Sequence, residues 1–180
     1  RSPLHSDPAK DNFERMLNDL TKAMHDLAAC NVDYATYACT AASMACPSDR
    51  LLKTMTDAGN VPANSTAQAI TAALDALGAT KIVMASPYTP ETNEHEAHYL
   101  SDHGVEVLAT AGLSLDTSLE EIQKISRVPP ADVFTHACSV DHRDAEALLI
   151  CCTDFNTFDS IEPLEAKLKK PVISSNSATL

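Results

Sequence analysis

The sequence predicts an α/β fold built from parallel βαβ layers, and three observations carry that expectation. Short apolar runs alternate with segments of helical periodicity at the spacing of βαβ units. One run, Lys81–Ser86 (KIVMAS), is apolar through its centre, as a strand buried on both faces must be. Two strand-like runs, Asp33–Cys39 (DYATYAC) and Glu146–Cys152 (EALLICC), each end on a cysteine followed by threonine, which hints at two related lobes. At 180 residues, 44% of them hydrophobic, the chain can bury one well-formed core or two small ones.

The elements follow in order. Phe13, Met16, Leu17, Leu20, Met24 and Leu27 keep the three-to-four spacing of an amphipathic helix. Val32–Ala38 is a short strand, and Ser43–Ala58 is a helix interrupted by Pro47, which lacks the amide an inner turn needs. Ser65 with Gln68 three residues on is a capping-box pattern that opens a helix over Thr66–Leu77, and Gly78 closes it. After Lys81–Ser86, Thr89 caps a helix whose first residue is Pro90 and whose end is marked by Gly104. Val105–Thr110 is a strand, and the polar Gly112–Val128 is a loop with some helix. A short helix over Pro130–Cys138, a strand over Ala147–Cys152, a helix over Ser160–Leu168 and a strand over Pro171–Ser174 complete the pattern. The acidic runs Glu91–Glu96 and Glu120–Glu121 are expected on exposed helix surface near N-termini, where negative charge is favourable.

A net charge of −12 makes nucleic acid and anionic membrane surfaces poor partners. No apolar run approaches the roughly 20 residues that span a bilayer, and Arg1–Asp11 is too polar for a signal peptide. The six cysteines sit mostly inside apolar or helical stretches of a chain that needs no staples, so a reducing, cytoplasmic location with free thiols is expected. There is no CxxC pair, and the closely spaced His95 and His98 have no second pair to complete a zinc site; no metal is expected.

Cys39 and Cys152 stand out from the other four cysteines. The carboxyl ends of parallel strands are where open α/β sheets bind ligands, and the first amides of the following helix can hold an anion. A thiol delivered there twice suggests a two-cysteine site. Cys30, Cys46, Cys138 and Cys151 read instead as small buried hydrophobes; strand alternation points Cys151 opposite to Cys152, into the core.

Several segments together carry a family likeness. Tyr37–Met44 (YACTAASM) followed by Asp49 and Arg50, then Lys81–Tyr88 (KIVMASPY), Gly104–Leu108 (GVEVL), Leu149–Thr153 (LICCT) and Ile161–Ser175 (IEPLEAKLKKPVISS), resemble maleate cis-trans isomerases. These belong to the aspartate/glutamate racemase superfamily, with arylmalonate decarboxylases and hydantoin racemases. The resemblance runs in order along nearly the whole chain. It implies two pseudo-symmetric lobes, each a parallel four-stranded sheet flanked by helices, with the active site between them. Residues 1–63 with 174–180 would form the first lobe and 64–173 the second. The family's opening strand with its loop asparagine, and its terminal helix, have no counterpart in these residues, so the first lobe is expected to be short at both ends.

The resemblance also implies roles. Cys39 would be the nucleophile and Cys152 its partner acid, with no metal or organic cofactor. Tyr88 would reach a substrate carboxylate, and amides near Thr40, Ala41 and Thr153 would grip the two carboxylates of a small dicarboxylate. Ser118 falls where the family carries a loop asparagine. A homo-oligomer, dimer or tetramer, is the expected assembly. The chemistry is coherent: a thiolate added to one alkene carbon turns the double bond into a rotatable single bond, and the second thiol supplies and retrieves the proton. For that, the Cys39 thiol is expected to be depressed from ~8.5, and a helix N-terminus is one means. Three alternatives remain at this point: a racemase swapping protons on two faces of one carbon, a decarboxylase, which commonly keeps only the second cysteine, and an inactive ligand-binding relative.

Overall fold

The computed structural model describes residues 10–180; Arg1–Ala9, most of the polar opening segment, lie outside the described residues. The helix α1 (Lys10–Ala29) turns Leu17, Leu20 and Met24 inward. Strand β1 (Ala35–Tyr37) follows, then α2 (Thr40–Ala45) and α3 (Ser48–Gly59). The expected helix over Ser43–Ala58 is thus two helices, the first starting three residues earlier, and the break falls at Cys46 and Pro47 because Pro47 has no N–H for a continuous ladder. Leu51 and Met55 of α3 meet the α1 stripe and Ala35 in a small separate core.

Strand β2 (Ala63–Ser65) pairs in parallel with β1, Ala35 opposite Ala63 and Tyr37 opposite Ser65. At Ser65 the chain passes directly into α4 (Thr66–Leu77): Ser65 Oγ accepts the Gln68 N–H, and Gly78, at φ 65°, closes the helix. Both signals were legible in the sequence. Then come β3 (Lys81–Ser86), α5 (Pro90–Asp102, capped by Thr89), β4 (Glu106–Gly112), α6 (Leu119–Ile125) and α7 (Pro130–Cys138). The chain finishes with β5 (Ala147–Ile150), α8 (Phe158–Leu168), β6 (Val172–Ser174) and α9 (Ser175–Thr179).

Two parallel sheets flanked by helices result, but they are unequal. The second has four strands in the order β4-β3-β5-β6, whereas the first, among the described residues, has two. The expectation of four strands in each lobe is corrected on this point. Residues 40–59 are helical apart from the Cys46–Pro47 break, α4 begins as soon as β2 ends, and the last strand pairs with β5 rather than with β1 or β2, so the described residues give the first sheet two strands.

The larger core forms around the central strands. Ile82–Ala85 and Ala147–Ile150 are entirely inaccessible, covered by helices on both faces as parallel central strands require. Each large aliphatic side chain so buried contributes about 1.5–3 kcal/mol, which makes the ends of these strands a firm platform. From β3 the chain goes to β4 on one side and returns to β5 on the other. The carboxyl ends of β3 and β5 therefore flank a topological switch point, where sheets of this kind open toward ligands. Among the described residues no helix is long and apolar enough to cross a membrane.

Candidate active site

Cys152 lies two residues past the end of β5, at that switch point, with Tyr88 across from it in the loop after β3. The backbone at Cys152 has φ 87°, a region that non-glycine residues rarely occupy, at a cost of about 1–3 kcal/mol. Cys151 keeps the strand's course, its amide bonded to the Ala85 carbonyl, and its side chain is buried as alternation requires. Beyond this turn the Cys152 thiol is paired with the Tyr88 hydroxyl.

Cys39 approaches from that lobe as the N-cap residue of α2, in extended conformation, its carbonyl accepting the Ser43 N–H. Thr40 joins the two shoulders. Its buried hydroxyl accepts the Cys152 N–H at 3.3 Å and donates to Ser175 Oγ at 2.7 Å, while the Thr153 hydroxyl donates to the Ala38 carbonyl at 3.1 Å. Ser43 Oγ accepts the Ala67 N–H and donates to the Thr40 carbonyl, tying α2 to α4. The two cysteine loops are thus cross-linked by short polar contacts, and Cys39 and Cys152 belong to one junction.

The electrostatics differ from the sequence-based expectation. Burial pushes the Cys39 thiol up; the Ala42 amide at the start of α2 opposes this without making a full capping bond, and Glu96 and Asp154 push it further up. A six-residue helix presents too few aligned amides to outweigh desolvation. The expected depression of Cys39 is therefore corrected. Cys152 is pushed up to about 12, mainly by burial, with Cys39 and Asp154 adding to the rise. The Tyr88 hydroxyl and the Asp154 amide work the other way. Tyr88 is itself raised well above its ordinary value, by burial first, and the Tyr88–Cys152 contact raises the phenol while lowering the thiol. That pairing of signs is what a phenol donating to a thiolate produces.

The other residues expected at the site divide. Ala41 stands at the second position of α2 beside Cys39, half-buried. Tyr88 aims its hydroxyl at Cys152 rather than into open space, so a substrate carboxylate would have to share it. Ser118 is exposed and accepts the Glu121 N–H as the cap of α6. Its short side chain is used there.

Three supporting groups escaped the sequence reading. Ser86 Oγ donates to Asn93 Oδ1 and accepts the Tyr88 N–H, while His136 Nε2 meets the Ser86 carbonyl at 2.9 Å, fixing the turn that presents Tyr88. Ser175, at the β6–α9 corner, orients Thr40. Glu96 was expected on the exposed acidic face and is instead fully buried. The available signal was spacing: Asn93, Glu96 and Leu100 stand three and four residues apart on one face of α5. Two shallow surface hollows border α5, one lined by Glu91, Glu94, His95 and His98, and neither includes a cysteine.

Gly112 makes the turn at Tyr88 possible. A Cβ there would lie 2.1 Å from the Tyr88 carbonyl oxygen and 2.7 Å from Asn93 Nδ2, so the backbone would have to move. Gly112→Ala is expected to lower Tm by about 5 °C through overpacking, measured by calorimetry. An unchanged Tm would mean that this loop yields freely.

Comparisons with known proteins agree with this architecture. The arylmalonate decarboxylase family profile matches residues 7–180. A maleate isomerase of Geobacillus stearothermophilus is 24% identical over 181 residues, covering 95% of this chain and 70% of that protein. An arylmalonate decarboxylase of Bordetella bronchiseptica is 26% identical over 124 residues, covering 69% of this chain and 51% of the relative. Among solved structures, a cysteine-to-serine mutant of Nocardia farcinica maleate cis-trans isomerase with a covalently bound succinylcysteine intermediate superposes with a TM-score of 0.83. It is 21% identical, with 94% of this chain and 71% of that one covered. A crystal structure of arylmalonate decarboxylase gives a TM-score of 0.82 at 22% identity, covering 93% and 74%.

Proposed function

This chain belongs to the arylmalonate decarboxylase family, and from that premise we propose that it isomerises a small cis-dicarboxylate, maleate to fumarate, without a cofactor. The observation that carries the reading is the polar joining of the two cysteine-bearing loops, Thr40 to Cys152 and Thr153 to Ala38, with the Cys152 thiol raised by burial and paired with a buried phenol. Relatives named maleate isomerase support it, as does the succinylcysteine intermediate named in the Nocardia farcinica structure.

In the proposed mechanism the Cys39 thiol, raised by burial, gives its proton to solvent as substrate binds and regains one from solvent after the product leaves. The thiolate adds to one alkene carbon, and the electron pair moves toward the neighbouring carbon and its carboxylate. Cys152 gives its proton to that carbon, forming a succinyl adduct with a single C–C bond that can rotate. Its thiolate, stabilised by the Tyr88 hydroxyl and the Asp154 amide, then takes a proton back as the C–S bond breaks, releasing fumarate. Amides beside Cys39 and Thr153 would receive the charge on the carboxylates. A thiol held near 12 is a weak acid at rest, and it is matched to protonating a strongly basic carbanion.

The upward shift of Cys39 favours a second reading. A decarboxylase needs one thiol as proton donor and no thiolate, and two neutral thiols satisfy it. Decarboxylation of an arylmalonate would release carbon dioxide and leave an enediolate for Cys152 to protonate.

Incubation with maleate, followed by ultraviolet absorbance and proton NMR in deuterium oxide, tests the first reading. Fumarate is expected, with no deuterium exchange at Cα of aspartate or glutamate. Exchange without fumarate would move the chain to the racemases. Carbon dioxide from phenylmalonate without fumarate from maleate would move it to the decarboxylases.

A further inference from the structure

Glu96 is fully buried, and neither carboxylate oxygen has a hydrogen-bond partner of good geometry; the weak Cys151 thiol donor is the group that comes nearest to serving as one. Glu96 projects from the middle of α5 on the face shared with Asn93 and Leu100, and α5 packs against α2 and β4. The titratable groups that face it come from four segments around the junction. They are Cys39 at the start of α2, Tyr88 after β3, Asp116 after β4 and Cys151 after β5. Asp116 is engaged by the Thr89 N–H and the Thr92 hydroxyl, and Glu106 of β4 lies at the far end of its strand against Lys81. Among these neighbours there is no cation to balance a second negative charge.

We propose that Glu96 is a positioning residue for the cysteine site: as a buried neutral acid it leaves Cys39 able to ionise, and as a carboxylate it suppresses the Cys39 thiolate. The physical basis is like-charge repulsion inside a desolvated junction, where a thiolate and a carboxylate compete for the same scarce stabilisation. The raised acidity constant of Glu96, about 8 through burial first and Asp116 second with the Cys151 thiol opposing, places the change at mildly alkaline pH. The catalytic meaning of this control rests on the reading of Cys39 as nucleophile, but the control itself can be observed without turnover.

The test is the rate of Cys39 alkylation by iodoacetamide, read by peptide mass spectrometry between pH 6.5 and 9.5, for the native protein and Glu96→Gln. At pH 6.5, where Glu96 is neutral in the native protein, equal rates are expected. By pH 9 the variant should react about threefold faster, because the repulsion from an ionised Glu96 is absent from it. Glu96→Met, which removes the charge without adding an amide, should give the same pH-dependent ratio. A ratio that is constant with pH in both variants, whether unity or above it, overturns the proposal, because a loosened structure would expose Cys39 equally at every pH. Absence of maleate turnover alongside the pH-dependent ratio would overturn the isomerase reading and leave the control of Cys39 standing.

Discussion

Alanine at Cys39 is expected to abolish both maleate turnover and covalent adduct formation, a loss of at least about 10³-fold, since it removes the proposed nucleophile. Cys152→Ala should also stop turnover, by about 10²–10⁴-fold for a lost acid–base group, yet it need not stop the attack itself. Mass spectrometry of each variant after exposure to maleate separates the roles. A maleate adduct on Cys39 in Cys152→Ala and none in Cys39→Ala is the expected pair. An adduct on Cys152 in active Cys39→Ala protein would reverse the assignment. Burial raises both thiols: the Tyr88 hydroxyl and the Asp154 amide donate toward Cys152 and the Ala42 amide toward Cys39, while Asp154 opposes the ionisation of each.

Replacing Glu96 by methionine should make the fold less sensitive to pH. The folded carboxyl is raised to about 8 from an ordinary 4.5, so between these values the unfolded chain has lost the proton while the folded chain keeps it. Rising pH therefore favours unfolding. The stability associated with the neutral acid is fully present below 4.5 and is lost by about pH 8, at ~1.4 kcal/mol for each pH unit of the interval. Glu96→Met has no such proton. Its stability relative to the native protein should improve by about 4 kcal/mol from pH 5 to pH 8, and subtraction removes titrations common to both chains. Urea unfolding at several pH values measures this directly. Parallel curves would mean that water or a rearranged partner reaches the carboxyl.

Local signals were strong where the physics is local. The Ser65 cap, the Gly78 stop, Thr89 with Pro90 and the apolar centre of Lys81–Ser86 all predicted elements that the structure contains. Strand β2 escaped because Ala63–Ser65 (ANS) is too short and polar to show a pattern; it is extended only because β1 lies alongside to receive its hydrogen bonds. Helix α9 escaped for a similar reason, its capping box resting on serines that also suit turns.

By itself the sequence determined the βαβ succession, the parallel buried sheet and the candidacy of the two Cys-Thr loops, because periodicity, caps and strand-tip position are properties of neighbouring residues. Only the tertiary structure decided how those cysteines are placed and surrounded. The positive φ at Cys152, the Thr40 hydroxyl that accepts its N–H, and the reversal of the expected Cys39 shift all depend on groups far apart in the chain. Glu96 shows the limit most sharply. In sequence it is one acid in an acidic run, and only the packing of α5 against α2 and β4 withdraws it from water. Desolvation has no sequence signature, since it is set by everything that surrounds a group in space.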